Sequence, residues 1–241
     1  TQKRFLADAA HQLKTPLAGL RMQAELAQRE MLQGQDAEQA RRSLQQIARA
    51  SQNATRMVNQ LLAMARAEDP EQALRRQRVD LQAIALETVE DFVQRALDLR
   101  IDLGYEPPPP PPPGRAPLQL LGQPVLIREL LRNLVDNALI YTPAGGTVTV
   151  RVLHDHYGRV AVLQVEDSGV GIPEAERELV FQPFYRALGT EVDGSGLGLA
   201  IVREIVDRHG GTISVEDTRS RGPGVTHPGT RFSVRFNAAP L

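Results

Sequence analysis

The chain has no cysteine among its 241 residues, which excludes disulfides, thiolate metal sites and a cysteine nucleophile, and permits a cytosolic setting. It has no surplus of either charge. With 28 basic and 29 acidic residues the formal net charge is -1, so the broad positive field that nucleic acid or an anionic membrane calls for is missing. No apolar run approaches the roughly 20 residues of a membrane-crossing helix, and no secretory signal opens the chain, so this stretch is expected to be soluble. It starts on Thr1 and enters helical periodicity at once, the look of a segment cut from something longer upstream.

What is present first is a helical seam. Leu6, Ala10, Leu13, Leu17, Leu20, Ala24, Ala27 and Met31 alternate by four and three, the spacing of a coiled-coil-like helix. Gly34 breaks it, Asp36 with Gln39 has capping-box spacing, and a second seam runs Leu44, Ile47, Ser51, Ala54, Val58, Leu61 and Ala65. One helical hairpin has too little core to stand alone, so a homodimer through residues 1–67, forming a four-helix bundle, is predicted. His11 and Thr15 lie off the seam, one turn apart on an outward face. Pro16 follows, lacks an N–H and crowds the carbonyl of Gln12, and so weakens the helix beside His11. The break after "ARAEDP" divides the chain into a helical domain at 1–69, a linker at 70–78 and a second domain at 79–241.

Within the second domain the pattern predicts a helix over 81–97, then a short strand, and a helix over 123–142. The runs "GTVTVRVLH" and "RVAVLQVED" flank the turn "DHYG" as an antiparallel hairpin. A Gly-rich irregular stretch occupies 168–196, a helix covers 197–209, and "TISVED" and "TRFSVRF" are two final strands. The fold class is multi-domain: an α-helical hairpin followed by an α/β two-layer sandwich with a mostly antiparallel sheet. Pro107 to Pro113 is an unbroken polyproline II run, read as a stiff surface loop or as a ligand for a partner domain. His154 and His156 are read as solvated turn residues, His209 as a side chain complementing a helix C-terminal dipole, and Arg41, Arg42, Arg49 and Arg56 as a solvated helix side.

The chemistry concentrates in three places. Glu129, Asn133, Asn137 and Tyr141 are four apart on one helix, and two amides on a half-buried face need partners. A hydrated Mg²⁺–phosphate group is one candidate, since carboxamide oxygens suit that ion; capping of neighbouring loops is the other. In "EDSGVGIP", Asp167 ends a strand and Gly169 and Gly171 allow close backbone approach. In "DGSGLGLAI", Gly194, Gly196 and Gly198 lead into a helix whose free N–H groups suit phosphates, although the run fits neither GxGxxG nor the P-loop pattern.

Taken in order, His11 in "HQLKTP", Asn133 and Asn137 in "NLVDNALIYT", Asp167 in "DSGVGIP", Phe184 in "FQPFYR" and "GSGLGL" resemble the H, N, G1, F and G2 boxes of bacterial two-component sensor histidine kinases. The resemblance implies a dimerisation and phosphotransfer domain followed by a Bergerat-type ATP-binding domain, the cytoplasmic portion of an inner-membrane sensor anchored upstream. On it, His11 is the phospho-acceptor, Gln12 and Thr15 assist, Asn137 is the Mg²⁺ ligand and Asn133 supports metal and triphosphate. Asp167 takes a hydrogen bond from the adenine amino group, with Gly169 and Gly171 beside it, and Tyr141 packs near the nucleotide. Residues 172–194 form a lid that Phe184 anchors and Arg186 brings near phosphate, and Gly194, Gly196, Leu197, Gly198, Leu199 and Thr230 complete the ATP site. The partner implied is a response-regulator receiver domain.

Two residues depart from the family's pattern. Gln12 stands where Glu or Asp usually follows the histidine, and an amide takes no proton at neutral pH. Ile140 stands where a Lys or Arg usually meets the phosphates. Thr15 is read either as a residue aligning water for phosphatase activity or as a local helix hydrogen bond. The kinase reading is preferred, and a nucleotide-binding dimeric scaffold with little kinase activity is the alternative.

Overall fold

A computed structural model of the chain describes residues 76–108, 119–154, 160–186, 196–219 and 226–238, with scattered helical positions between 22 and 58. His11, Gln12, Thr15, Pro16, Gly194 and most of the proline run lie outside the described residues. The chain divides into two compact units, Thr1–Leu62 and Ala63–Leu241. In the first, the described positions 22, 24, 25 and 28, and again 41 to 58, are helical, as the seams predict. Leu44 and Val58, both seam positions, are 59% and 41% exposed within one chain, so their apolar surface lacks cover there.

Among its described residues the second unit has three α-helices and two sheets. Strands β2 (Asp102–Glu106), β4 (Thr147–His154), β5 (Val160–Asp167), β6 (Thr212–Asp217) and β7 (Thr230–Asn237) form one sheet in the order β2-β4-β5-β7-β6. Only β2 and β4 pair in parallel; the other neighbours are antiparallel. Helices α1 (Leu81–Leu99), α2 (Pro124–Tyr141) and α3 (Gly198–Arg208) cover one face. Alternation decides which face that is. On β5, Ala161, Leu163, Val165 and Asp167 are buried while the residues between them are half-exposed. Across the open face Arg151 pairs with Glu106 and Glu166, and Arg231 also reaches Glu166, a ladder of alternating charge.

Two strands were not expected. β1 (Gln77–Asp80), which begins inside the stretch read as linker, pairs antiparallel with β3 (Gln119–Gly122) in a separate two-stranded sheet. Each has four residues, too few for a visible period of two, and their partners lie some forty residues apart in sequence.

Local signals set the helix ends. Asp80 caps α1 through Oδ1, which accepts from Gln82 N at 2.8 Å and Ala83 N at 3.2 Å, and Arg100 closes it in the left-handed region. Pro124 begins α2, where its missing N–H costs nothing. Glu87–Arg128, Asp91–Arg132 and Arg95–Asp136 each join residues 41 apart, so α1 and α2 run parallel in fixed register. The first two pairs are substantially exposed and add little stability singly, the third is part-buried, and their common spacing selects the alignment.

His209 differs from the sequence reading. It is buried, its Nδ1 lies 2.7 Å from Ile205 O, and its Nε2 accepts the Gln123 N–H at 3.1 Å. Burial pushes its pKa down, so the ring is a neutral tie between the C-terminus of α3 and the N-terminus of α2, not a cation on a dipole.

Candidate functional site

The C-terminal end of helix α2 meets the chain just past the end of β5, where Tyr141 O lies against Gly169. Asn133 is buried, and its Nδ2 donates to Glu129 O at 2.8 Å and to Glu129 Oε1 at 3.1 Å. That fixes how the amide is turned. Asn137 and Tyr141 follow at one-turn intervals and are half-buried. Glu129, Asn133 and Asn137 therefore present carboxylate and carboxamide groups along one ridge, a hard-oxygen donor set. Among the described residues no group of three His, Cys, Asp or Glu side chains is placed to hold a metal ion by itself.

Asp167 sits at the end of β5, 4% exposed. Its Oδ1 accepts from Gly169 N at 2.8 Å and Thr230 N at 3.1 Å. Burial outweighs these hydrogen bonds, and the Thr230 hydroxyl's as well, and pushes the carboxyl up to about 6. A carboxylate held in so little water is a strong acceptor with sharp direction.

The backbone around it is tightly packed. A Cβ at Gly169 would stand 2.4 Å from Tyr141 O, so only glycine lets the loop lie against the end of α2. Gly229, with φ at +71°, would place a Cβ 2.3 Å from Asp167 O. Asp167, Gly169, Tyr141, Gly229 and Thr230 thus form one joint of strand end, helix end and returning strand.

The third part is the start of α3. Leu197 at its N-cap is buried and offers no side-chain acceptor to the first turn of the helix. Phe184, with φ at +65°, donates its N–H to Gly196 O at 2.9 Å and so joins the two ends of the stretch 187–195. A Cβ on Gly196 would meet the Phe184 backbone at 2.8 Å. The ring that seats this region is Phe181, which is buried edge-on against Phe232 at 6.3 Å and lies under the Arg203 guanidinium at 4.3 Å. Phe184 itself is half-buried, and Arg186 is exposed. Sequence reasoning passed over Phe181 and Gly229; the first differs from Phe184 only by its place on the inward side of a 3₁₀ turn, and the second shows as "GT" before a strand.

A sheet with helices on one face, a buried acceptor at a strand end, an amide ridge and an uncapped helix start together define a nucleotide-binding α/β sandwich. Comparison carries this further. Residues 122–240 match the family of histidine kinase-, DNA gyrase B- and HSP90-like ATPases, and residues 1–70 match the His Kinase A (phospho-acceptor) domain. The chain is 34% identical to the sensor protein kinase PmrB of Pseudomonas aeruginosa over 215 residues, 89% of this chain and 42% of PmrB. It is 35% identical to the histidine-protein kinase/phosphatase MprB of a Mycobacterium species over 245 residues, all of this chain and 44% of MprB. The solved mycobacterial sensor histidine kinase MprB superposes with a TM-score of 0.57 at 31% identity, covering 69% of this chain and 99% of that one. This chain belongs to the sensor histidine kinases, and its C-terminal unit is their ATP-binding domain. It spans less than half the length of these two curated relatives.

Proposed function

We propose that the chain is the kinase core of a two-component sensor, moving the γ-phosphoryl group of ATP to His11 and from there to an aspartate on a response-regulator receiver domain. The observation that carries this is that one chain matches the phospho-acceptor domain over residues 1–70 and the ATPase family over residues 122–240; Asn133, Asn137, Asp167 and the start of α3 are the residues assigned to the ATP site. The same pairing supports a kinase over a nucleotide-binding scaffold.

Asp167 receives the exocyclic amino group of adenine, with Tyr141 beside the base. Asn137 would hold Mg²⁺, and Asn133, locked by Glu129, keeps the ridge in register. The ion would supply neutralisation of phosphate charge. The amides of Gly198 and Leu199 receive phosphate, and the hydrogen bond from Phe184 to Gly196 anchors the lid.

In its neutral form the imidazole of His11 offers a ring nitrogen as the nucleophile. An N–P bond forms as the bond between the γ-phosphorus and the β–γ bridging oxygen breaks, and ADP departs. Gln12 orients the ring, and water takes its proton. In the second step the aspartate carboxylate takes the phosphoryl group and the N–P bond breaks. Phosphatase action toward the regulator, with Thr15 aligning water, fits the kinase/phosphatase relative.

Two chains pair through residues 1–67, supported by the exposed seam positions Leu44 and Val58. The complete protein is anchored in the inner membrane upstream with this core in the cytoplasm. Among the described residues no helix is long and apolar enough to cross a membrane, which suits a core standing outside it.

Incubation with γ-labelled ATP and Mg²⁺ tests the reading. Acid-labile, base-stable label is expected on the wild type and absent from His11→Gln. Equal labelling of both, or ATP binding with no label on the wild type, overturns it.

A further inference from the structure

The loop that carries Asp167 is held from outside itself. Its two ends, ten residues apart, are gripped by two consecutive residues at the end of β6. At the near end the Thr218 hydroxyl donates to Asp167 O at 3.1 Å. At the far end Asp217 pairs with Arg177 at 2.9 Å, and Arg177 also donates from Nε to Ile172 O at 3.3 Å. The ion pair is mostly covered, with Arg177 at 24% and Asp217 at 17% side-chain exposure, so solvent screens it less than an open surface pair.

Between these grips the loop is stitched to the same chain return. Gly229 N donates to Gly169 O at 2.9 Å, Arg219 N donates to Pro228 O at 2.8 Å, and Pro228 and Gly229 are buried. Asp217 is the last residue of β6 and Thr218 the first of the bend that follows, and their side chains reach different ends of the loop. Neither side chain is directed by anything in the local sequence of the loop itself.

We infer that Asp217 and Thr218 are positioning residues for nucleotide binding: together they set the span of the Asp167–Arg177 loop, and through it the aim of the Asp167 carboxylate, without touching the nucleotide. The inference rests on the reading that Asp167 receives the base. Its mechanism is geometric. The carboxylate is aimed by the N–H groups of Gly169 and Thr230, and the loop keeps the first of these donors in line only while its ends stay fixed. Loosening the Thr218 grip lets the Gly169 donor drift, and the carboxylate then loses part of what favours its charged form.

The test uses the full chain with ATP and Mg²⁺, measuring affinity by calorimetry from pH 5.5 to 8 and autophosphorylation kinetics in parallel. Thr218→Val and Asp217→Asn are each expected to weaken ATP binding about three- to tenfold, the worth of one hydrogen bond or covered ion pair. KM for ATP rises by the same factor while kcat at saturating ATP stays within about twofold. Thr218→Val also moves the acid limb of binding to higher pH, a change that general loss of stability does not produce. Thr218→Ser, which keeps the hydroxyl, binds as wild type. The exchange Arg177→Asp with Asp217→Arg recovers most of what Asp217→Asn loses, and stands in if either single variant fails to fold. Wild-type affinity and an unmoved acid limb in Thr218→Val, or wild-type affinity in Asp217→Asn, overturn the inference. Wild-type affinity in Asp167→Asn overturns instead the reading beneath it.

Discussion

Replacing Asp167 by Asn is expected to make the protein more stable and less able to bind ATP at the same time. The perturbation removes one buried charge and little else, because the amide oxygen can keep the N–H bonds from Gly169 and Thr230. Burial raises the carboxyl from its ordinary 3.8 to about 6, a gap of about two pH units worth about 3 kcal/mol at 1.36 kcal/mol each. The sign follows from the direction. A group whose pKa is raised by folding contributes stability that is fully present below the unfolded value of 3.8 and is lost as pH rises through about 6. At pH 7.5 the wild type therefore carries the whole penalty, and Asp167→Asn escapes it. Paired melts should show the variant higher by up to roughly 10 °C at pH 7.5, since 1 kcal/mol moves a domain of this size by about 2–4 °C. The gap should close as the pH approaches 4. ATP affinity should fall about 10- to 100-fold at pH 7.5, the worth of a hydrogen bond to a charged acceptor. Wild-type affinity should fall in turn as pH drops through 6. A variant no more stable than wild type at pH 7.5, or one whose advantage persists unchanged at pH 4, refutes the burial argument.

Other perturbations have equally definite outcomes. Gly169→Ala puts a Cβ 2.4 Å from Tyr141 O, so the loop must shift; ATP binding measured by calorimetry should fall at least about tenfold. His209→Ala removes the ring that accepts the Gln123 N–H and should cost about 1–3 kcal/mol in denaturant melts at pH 7.5. Because folding lowers the His209 pKa below 6.5, wild-type stability is full above that pH and declines below it, and the variant should lose this part of the acid decline. Ile140→Arg puts a cation where the family's pattern has one and, on the proposed site, should tighten ATP binding about tenfold at low salt, with the gain shrinking as salt rises.

Much of the second unit was legible in sequence because its signals are local. The period of two in β4 and β5, the period of 3.6 in α1, α2 and α3, and the glycines flanking Asp167 gave element types with ends close to those observed. The ridge of Glu129, Asn133 and Asn137 needed only the pitch of a helix. β1 and β3 were missed because each makes sense only when paired with the other, and the neutral role of His209 because its acceptor's donor, Gln123 N, lies 86 residues away. Phe181 was passed over because nothing in the local sequence marks it; only the turn of the chain buries its ring.

The sequence by itself determined which residue types recur at which spacing, hence the helices, the hairpin, the amide ridge and the family. Those depend on neighbours within a turn or two. What only the tertiary structure decided is how Asp167 is held: a carboxylate raised by burial, with Thr230 and Gly229 returning from β7 and Asp217 and Thr218 gripping from β6. Desolvation and aim are properties of surroundings drawn from residues some forty to sixty positions away, and no local pattern along the chain encodes them.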